Sequence, residues 1–232
     1  MLLEPAFVNS ILDGYSNDFH RHHSQKHIID MMTGFAHHVR YFNKSVISPL
    51  PDWLVEAGEA AILFHDIFYT PGATDNEQRS AACAEMSLMK CGYEREFIDS
   101  VTTLILSTVP FARRKPSSNF VSQQYNKGLS LVADIIHDLD WSQFTSEKVM
   151  LATEGKLYYE LNELETQNIT DKTEYGFHKM RLAFLERLLE SIEDEDGLYR
   201  TPLMACYNDT AKSIITKRVN ELKEQLKQEE IV

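Results

Sequence analysis

Cysteine is scarce in this chain, and its placement excludes two kinds of small protein. Cys83, Cys91 and Cys206 include no Cys-x-x-Cys pair. We therefore expect neither a zinc knuckle nor a disulfide framework. Reduced, buried thiols of this kind are typical of a protein from a reducing compartment.

Long apolar runs are also missing from the sequence. No segment approaches the ~20 apolar residues of a membrane span. The first residues, Met1-Leu2-Leu3-Glu4-Pro5, lack the basic and then apolar pattern of a secretory leader. We therefore expect a cytoplasmic protein without a membrane partner.

Basic residues are outnumbered, with 23 Lys and Arg against 35 Asp and Glu and a formal net charge of -12. An acidic surface disfavours contact with the backbone of a nucleic acid duplex. A small phosphorylated ligand remains compatible with this charge, because a bound metal reverses the local sign. The one dense basic cluster is Arg113-Arg114-Lys115.

Apolar residues recur at helical spacing almost throughout, which predicts an all-α fold. The 232 residues fit a single domain, 1–232, with a metal-site core at about 15–145 and packing helices at about 146–232. Helices are predicted over 24–41, 52–68, 76–91 and 94–108, and again from Leu129, Ser146, Lys172 and Thr201-Pro202. A long loop is predicted over 109–128, where Pro and Ser accumulate.

The most informative feature is the doublet His65-Asp66, which lies inside the apolar run 60–69. Burying a lone charge costs several kcal/mol, so buried carboxylates are paired or bound to metal. A second apolar run, 129–136, contains Asp134 in the same way, and His23 and His27 lie four residues apart. Two imidazoles and two carboxylates form a ligand set for one divalent cation, which indicates a metal-dependent hydrolase.

Structural alternatives stay open for each of these residues. Asp66 or Asp134 is also compatible with a buried helix cap, and His23 with an exposed polar turn. His137-Asp138 is a second literal His-Asp doublet. Because it stands in a more polar stretch, we interpret it as a surface or outer-shell pair.

The order of these residues resembles the HD superfamily of metal-dependent phosphohydrolases. His27, His65-Asp66 and Asp134 reproduce its pattern His…His-Asp…Asp. The context resembles the small bacterial HD phosphohydrolases in four segments: His-Arg-His-His-Ser-Gln-Lys-His-Ile (20–28), Phe-His-Asp-Ile-Phe-Tyr (64–69), Asp-Asn-Glu-Gln-Arg-Ser-Ala (75–81) and Val-Ala-Asp-Ile (132–135).

The resemblance implies an HD-type helical bundle that hydrolyses a phosphate ester or anhydride of a small, nucleotide-like molecule. It implies a divalent metal (Mn, Co, Fe, Ni, Zn or Mg) that activates water. The implied ligands are His27, His65, Asp66 and Asp134. His23 would protonate the leaving group, Asp66 and Glu77 would take part in catalysis, and the substrate would meet Arg21, Lys26, Asn76 and Arg113.

The chain departs from the family pattern at two places. Family members tend to carry a His shortly after Ile-x-x-Thr, whereas this chain continues from Thr108 with Val109-Pro110-Phe111. The run before His23 is one residue short of Arg-x-Tyr-His, which bears on the role of Arg21. An alternative is therefore an HD-type regulatory module that binds nucleotide or metal with weak turnover. Homo-oligomer formation stays open.

Overall fold

The computed structural model describes residues 4–16, 18–45, 49–109, 123–194 and 197–229. In these ranges the chain forms α-helices and short 3₁₀ turns and contains no strand, so the all-α prediction is confirmed. The helices are α1 Pro5–Gly14, α2 Gln25–Ser45, α3 Asp52–Phe64, α4 Asn76–Lys90, α5 Arg95–Leu106, α6 Gln123–Asp140, α7 Glu147–Glu163, α8 Glu174–Asp194 and α9 Asn208–Glu229. None of the described helices is both long and apolar enough to cross a membrane.

The chain divides into two compact units. The first comprises Met1–Tyr69 and Thr74–Asp140, and the second comprises Thr70–Ala73 and Trp141–Val232. The boundary at 140 lies near the boundary of about 145 that the sequence suggested between the metal-site core and the packing helices. All four residues of the cluster described below belong to the first unit.

In the first unit, α3 is the central helix and contacts α1, α2, α4, α5 and α6. Its composition explains this position, because Ala60 to Phe64 are all buried, and a helix that is apolar all round belongs in a core. At Gly58 a Cβ atom would overlap Phe35 of α2 and lie 2.9 Å from Val132 of α6. The missing side chain therefore lets three helices approach one another closely.

The second unit is built from α7, α8, α9 and the two 3₁₀ turns, Ser142–Thr145 and Ala205–Tyr207. A buried ion network joins its helices. Glu154 accepts from Nε of Arg181 at 2.9 Å and from Nε of Arg218 at 2.8 Å. Ser146 caps α7 by accepting from the backbone N–H of Val149, as its position before a helix predicts.

Several predicted boundaries are wrong. The helix expected to reach about Phe68 ends at Phe64, and the backbone N–H of Phe68 instead donates to Ser80 Oγ at 3.2 Å. Residues 123–128 are helical although a loop was predicted, since Gly128 packs where a Cβ would lie 2.8 Å from Leu54. The last helix begins at Asn208, whose side chain bonds both backbone groups of Tyr199.

Helix α1 was not anticipated, although Pro5 in its first turn is a known start signal. Its residues Phe7, Val8, Ile11 and Leu12 are partly buried and pack against the core of the first unit. The ring of Phe7 lies 6.1 Å from that of Phe64 at the end of α3. Helix α1 therefore covers the end of the central helix.

Candidate metal centre

Four side chains converge where three helices begin or end. His27 lies in the first turn of α2, His65 directly follows α3, Asp66 comes next, and Asp140 is the last residue of α6. One potential ligand atom of each residue lies within 4.8 Å of those of the others, so the group could hold a metal ion. No other group of three or more His, Cys, Asp or Glu with this property occurs in the described part of the chain.

The imidazole nitrogens face the carboxylates at short range. Nε2 of His65 lies 2.9 Å from Oδ2 of Asp66 and 3.8 Å from Oδ1 of Asp140. Nε2 of His27 lies 3.4 Å from Oδ1 of Asp140 and 3.9 Å from Oδ2 of Asp66. Ligand atoms about 2.0–2.2 Å from one ion stand about 3–4.5 Å apart, so these separations suit a single cation.

Both imidazoles present an unsatisfied nitrogen to the cluster. The Nε2 atoms of His27 and His65 are buried and have no hydrogen-bond partner of suitable geometry among the described residues. The Nδ1–H of His65 donates to the backbone carbonyl of Ile62 at 2.9 Å. This bond fixes the ring and, in the neutral form, directs the Nε2 lone pair toward the carboxylates, as in metal-ligating histidines.

The charges of the group favour a cation at its centre. Burial opposes ionisation of Asp66, yet the positive charges of His65 and His23 hold its pKa well below the ordinary range. For Asp140, the nearby imidazoles of His27 and His65 likewise outweigh burial and lower the pKa. Burial disfavours a charged His65, but Asp66 and Asp140 raise its pKa well above the usual value. The two carboxylates thus favour a positive charge at this point, which a metal ion would supply.

The helix ends strengthen this negative potential. Asp140 ends α6, and Asp66 lies two residues beyond the end of α3. A helix C-terminus carries a partial negative charge, so an acidic side chain there is unfavourable unless a cation is near. Two C-terminal ends meet one N-terminal end, that of α2, at this point. The site therefore combines two carboxylates with a net excess of negative backbone charge.

Asp134 does not belong to the group, and Asp140 stands in the place predicted for it. Both residues lie on α6, six positions apart. On an α-helix this separation turns the side chains about 120° away from each other and moves them about 9 Å along the axis. They cannot serve the same point. The sequence signal that indicates Asp140 is a carboxylate in the last turn of a helix.

His23 lies beside the group without joining it. It precedes α2 in a bend, so the spacing of four residues between His23 and His27 is not one turn of a helix. Its ring stacks on Tyr69 with 3.4 Å between centroids, and the ring of His22 lies 4.7 Å from it. The positive charge of His23 acts on Asp66, which places the imidazole within electrostatic reach of the cluster. Tyr69, which holds this ring, was not singled out from the sequence.

Glu77 also borders the group. It is the second residue of α4 and is partly buried. Burial raises its pKa, the charges of Asp66 and Asp140 add to the rise, and a backbone hydrogen bond opposes it. A raised pKa makes the carboxylate a stronger base, which suits a residue that accepts a proton. Asn76, the first residue of the same helix, is buried.

The structure gives less support to the predicted contacts between cationic side chains and the substrate. Lys26 is exposed, and its ammonium group donates to both carboxylate oxygens of Asp30 at 2.8 and 2.9 Å. Arg21 is exposed in the bend before α2, and Arg113 lies outside the described residues. His137 and Asp138 are both buried in α6, so they are not a surface pair, and the outer-shell alternative stays a prediction. Four apolar residues of the same stretch are buried with them: Val132, Ile135, Ile136 and Leu139.

Comparisons of the chain with family models, with curated proteins and with solved structures find no match. The geometry of the candidate metal centre is therefore the main support for a function. Three of its four residues, His27, His65 and Asp66, were predicted as ligands from the sequence.

Proposed function

We propose that this protein binds one divalent cation through His27, His65, Asp66 and Asp140 and uses it to hydrolyse a phosphate ester or anhydride. The observation that carries the proposal is the pair of buried Nε2 atoms that face two carboxylates without a hydrogen bond among the described residues. Leaving such groups unsatisfied costs about 1–3 kcal/mol each, and a bound cation removes that cost. The resemblance to HD phosphohydrolases supports the reaction class.

The ligand set suits Mn²⁺, Fe²⁺, Co²⁺, Ni²⁺ or Zn²⁺, with Mg²⁺ less favoured because imidazole is a poor ligand for it. A divalent cation held there would polarise a phosphoryl oxygen and lower the pKa of water toward ~7. His65 contributes a fixed orientation, since its Nδ1–H is held by the carbonyl of Ile62. Asp66 and Asp140 contribute the negative charge that retains the cation.

Two side chains beside the group are suited to proton transfer. Glu77 has a raised pKa and senses the charges of Asp66 and Asp140, so we assign it the removal of a proton from the attacking water. His23 is held by stacking on Tyr69, and as an imidazolium it could donate a proton to the leaving oxygen. The phosphate would bind with the help of Arg21, Lys26 and Asn76, and of Arg113 outside the described residues.

The test measures Mn²⁺ binding by calorimetry and phosphate release from a panel of nucleotides and other phosphate esters. Asp66→Asn is compared with the wild type, and Asp99→Asn, an exposed aspartate of α5, is the matched control. We expect binding and phosphate release in the wild type and in Asp99→Asn, and neither in Asp66→Asn. Circular dichroism verifies that each variant is folded.

Two results would change the interpretation. Metal binding without phosphate release from any substrate would favour the regulatory HD-type module, for which the missing His after Thr108 is the supporting observation. Absence of Mn²⁺, Co²⁺ and Zn²⁺ binding in a folded wild type would contradict the proposal as a whole.

A further inference from the structure

The end of α1 contacts the turn that presents His65 and Asp66. Tyr15 directly follows α1 and is 3% exposed. Its hydroxyl donates to the backbone carbonyl of Leu63, in the last turn of α3, at 2.9 Å. One phenol therefore joins the end of α1 to the residue two positions before His65.

This bond falls where a helix leaves carbonyl groups without partners. The carbonyl of Leu63 belongs to the last turn of α3, so no further turn of that helix satisfies it. The hydroxyl of Tyr15 supplies the missing donor at 2.9 Å.

Gly14 shows how closely α1 approaches this turn. A Cβ atom there would lie 2.6 Å from Cδ1 of Ile67, the residue after Asp66. On the other side of the doublet, Phe7 packs its ring against Phe64. Contacts from α1 thus reach the chain immediately before His65 and immediately after Asp66.

We propose that Tyr15 is a positioning residue of the metal centre, which fixes the end of α3 so that the carboxylate of Asp66 meets the cation. The inference rests on the metal binding proposed above, but it concerns a residue that contacts no cation. Outer-shell partners of this kind typically change metal affinity by about 10–100-fold when they are removed. Tyr15→Phe keeps the ring and removes only the hydroxyl.

The chain offers a matched control in α5. Ser100 is 1% exposed, and its hydroxyl donates to the backbone carbonyl of Glu96 at 2.7 Å. Ser100→Ala therefore removes a buried hydroxyl bond to a backbone carbonyl, and neither residue adjoins a candidate ligand in the sequence. Both variants are expected to unfold at lower temperature than the wild type, so stability alone does not distinguish them.

The experiment measures Mn²⁺ affinity by calorimetry and the visible spectrum of bound Co²⁺, at a temperature where all proteins are folded. We expect Tyr15→Phe to bind Mn²⁺ about tenfold more weakly and to alter the Co²⁺ bands, which report ligand geometry. Ser100→Ala should match the wild type in both. Equal behaviour of the two variants, whether both match the wild type or both are weakened, would overturn the inference.

A second pair of variants covers the case in which Tyr15→Phe does not fold. Gly14→Ala places a methyl group 2.6 Å from Cδ1 of Ile67, so the side chain next to Asp66 must shift while the hydroxyl of Tyr15 is retained. Gly155→Ala in α7 places a methyl group in open space. We expect weaker Mn²⁺ binding only in Gly14→Ala, and unchanged binding in both would contradict the inference. The wild type is measured first. If it does not bind Mn²⁺, the proposed function itself is contradicted.

Discussion

At the residue scale, the site depends on carboxylates placed where helices end. Asp66 and Asp140 both stand at helix C-termini, where backbone carbonyls already point outward. An acidic side chain at either position destabilises the helix by about 0.3–1 kcal/mol, because it opposes the helix dipole. The neighbouring imidazoles counteract this effect, since they lower the pKa values of both carboxyl groups. A divalent ion would do so more strongly than protonated histidine.

Asp140 and Asp134 permit a direct test of which carboxylate of α6 is the ligand. Asp140→Asn should lower Mn²⁺ affinity by at least about 100-fold, because it removes a charged ligand rather than an outer-shell partner. Asp134→Asn should leave the affinity unchanged, since its side chain points about 120° away. Calorimetry on both variants measures the difference. Loss of binding in Asp134→Asn alone would mean that the ligand assignment is reversed.

Glu77 should affect turnover without affecting metal binding. Replacing Glu77 by Gln removes the proton acceptor with little change in shape, and general-base losses reduce rates by about 10²–10⁴-fold. We expect kcat to fall while Mn²⁺ affinity stays the same. The measurement is steady-state phosphate release on the best substrate of the panel.

The control for Glu77 is Glu96→Gln. Glu96 is also the second residue of its helix, α5, and it is exposed. The two variants lose the same favourable interaction with a helix N-terminus, so only a catalytic role separates them. If the two variants retain the same kcat, Glu77 has no part in proton transfer.

At the scale of elements, the close approach of α2, α3 and α6 brings the ligands together. Gly58 of α3 allows this approach, because a side chain there would meet Phe35 and Val132. Gly34 of α2 does the same against Leu139, the neighbour of Asp140. The apolar periodicity of each helix was predictable, whereas these interhelical contacts involve residues far apart in the sequence.

Gly58→Ala should destabilise the protein even though alanine is the better helix former. Overpacking a core costs about 1–3 kcal/mol, which exceeds the gain of about 1 kcal/mol from helix propensity. Gly155→Ala, exposed in α7 with open space around its Cβ, should instead stabilise by about 0.5–1 kcal/mol. Urea unfolding measures both free energies. A stabilised Gly58→Ala protein would show that the three helices can separate without loss.

At the scale of the whole molecule, the two compact units bury different kinds of charge. The first gathers the histidines and aspartates of the candidate metal centre. The second buries Glu154 between Arg181 and Arg218, with exposed fractions of 5, 6 and 11% for these side chains. Glu154 bonds both guanidinium groups and Glu221 also pairs with Arg218, so each of these buried charges has a partner, whereas the metal centre has unsatisfied nitrogens.

Removing Glu154 should therefore affect stability and leave metal binding unchanged. Glu154→Ala removes the carboxylate that pairs with Arg181 and leaves Arg218 paired with Glu221, and breaking a buried pair costs about 3–5 kcal/mol. Glu147→Ala is the control, because Glu147 lies on the same helix and pairs with an exposed lysine, Lys217, at 2.7 Å. The control should unfold almost like the wild type. Thermal unfolding and Mn²⁺ calorimetry on both variants test this, and reduced affinity in folded Glu154→Ala would contradict it.

Much of this protein is determined by its sequence. Helical periodicity determines the all-α class, and the ionisable doublet His65-Asp66 in an apolar run indicates a site that must hold a counter-charge. His27 follows from its spacing and from the resemblance to HD phosphohydrolases. Each of these inferences uses only neighbouring residues in the sequence. A charge inside an apolar run is costly to bury in any fold, so the pattern alone indicates that it needs a partner.

Only the tertiary structure decides which carboxylate of α6 completes the group. Asp134 and Asp140 both lie in or beside apolar sequence, and the pattern does not say which side of α6 meets α2 and α3. Packing at Gly34 and Gly58 selects the side, so Asp140 reaches His27 and His65. The contribution of α1 could not be predicted from the sequence for the same reason. The bond from Tyr15 to Leu63 joins residues 48 positions apart, and no local pattern encodes such a contact.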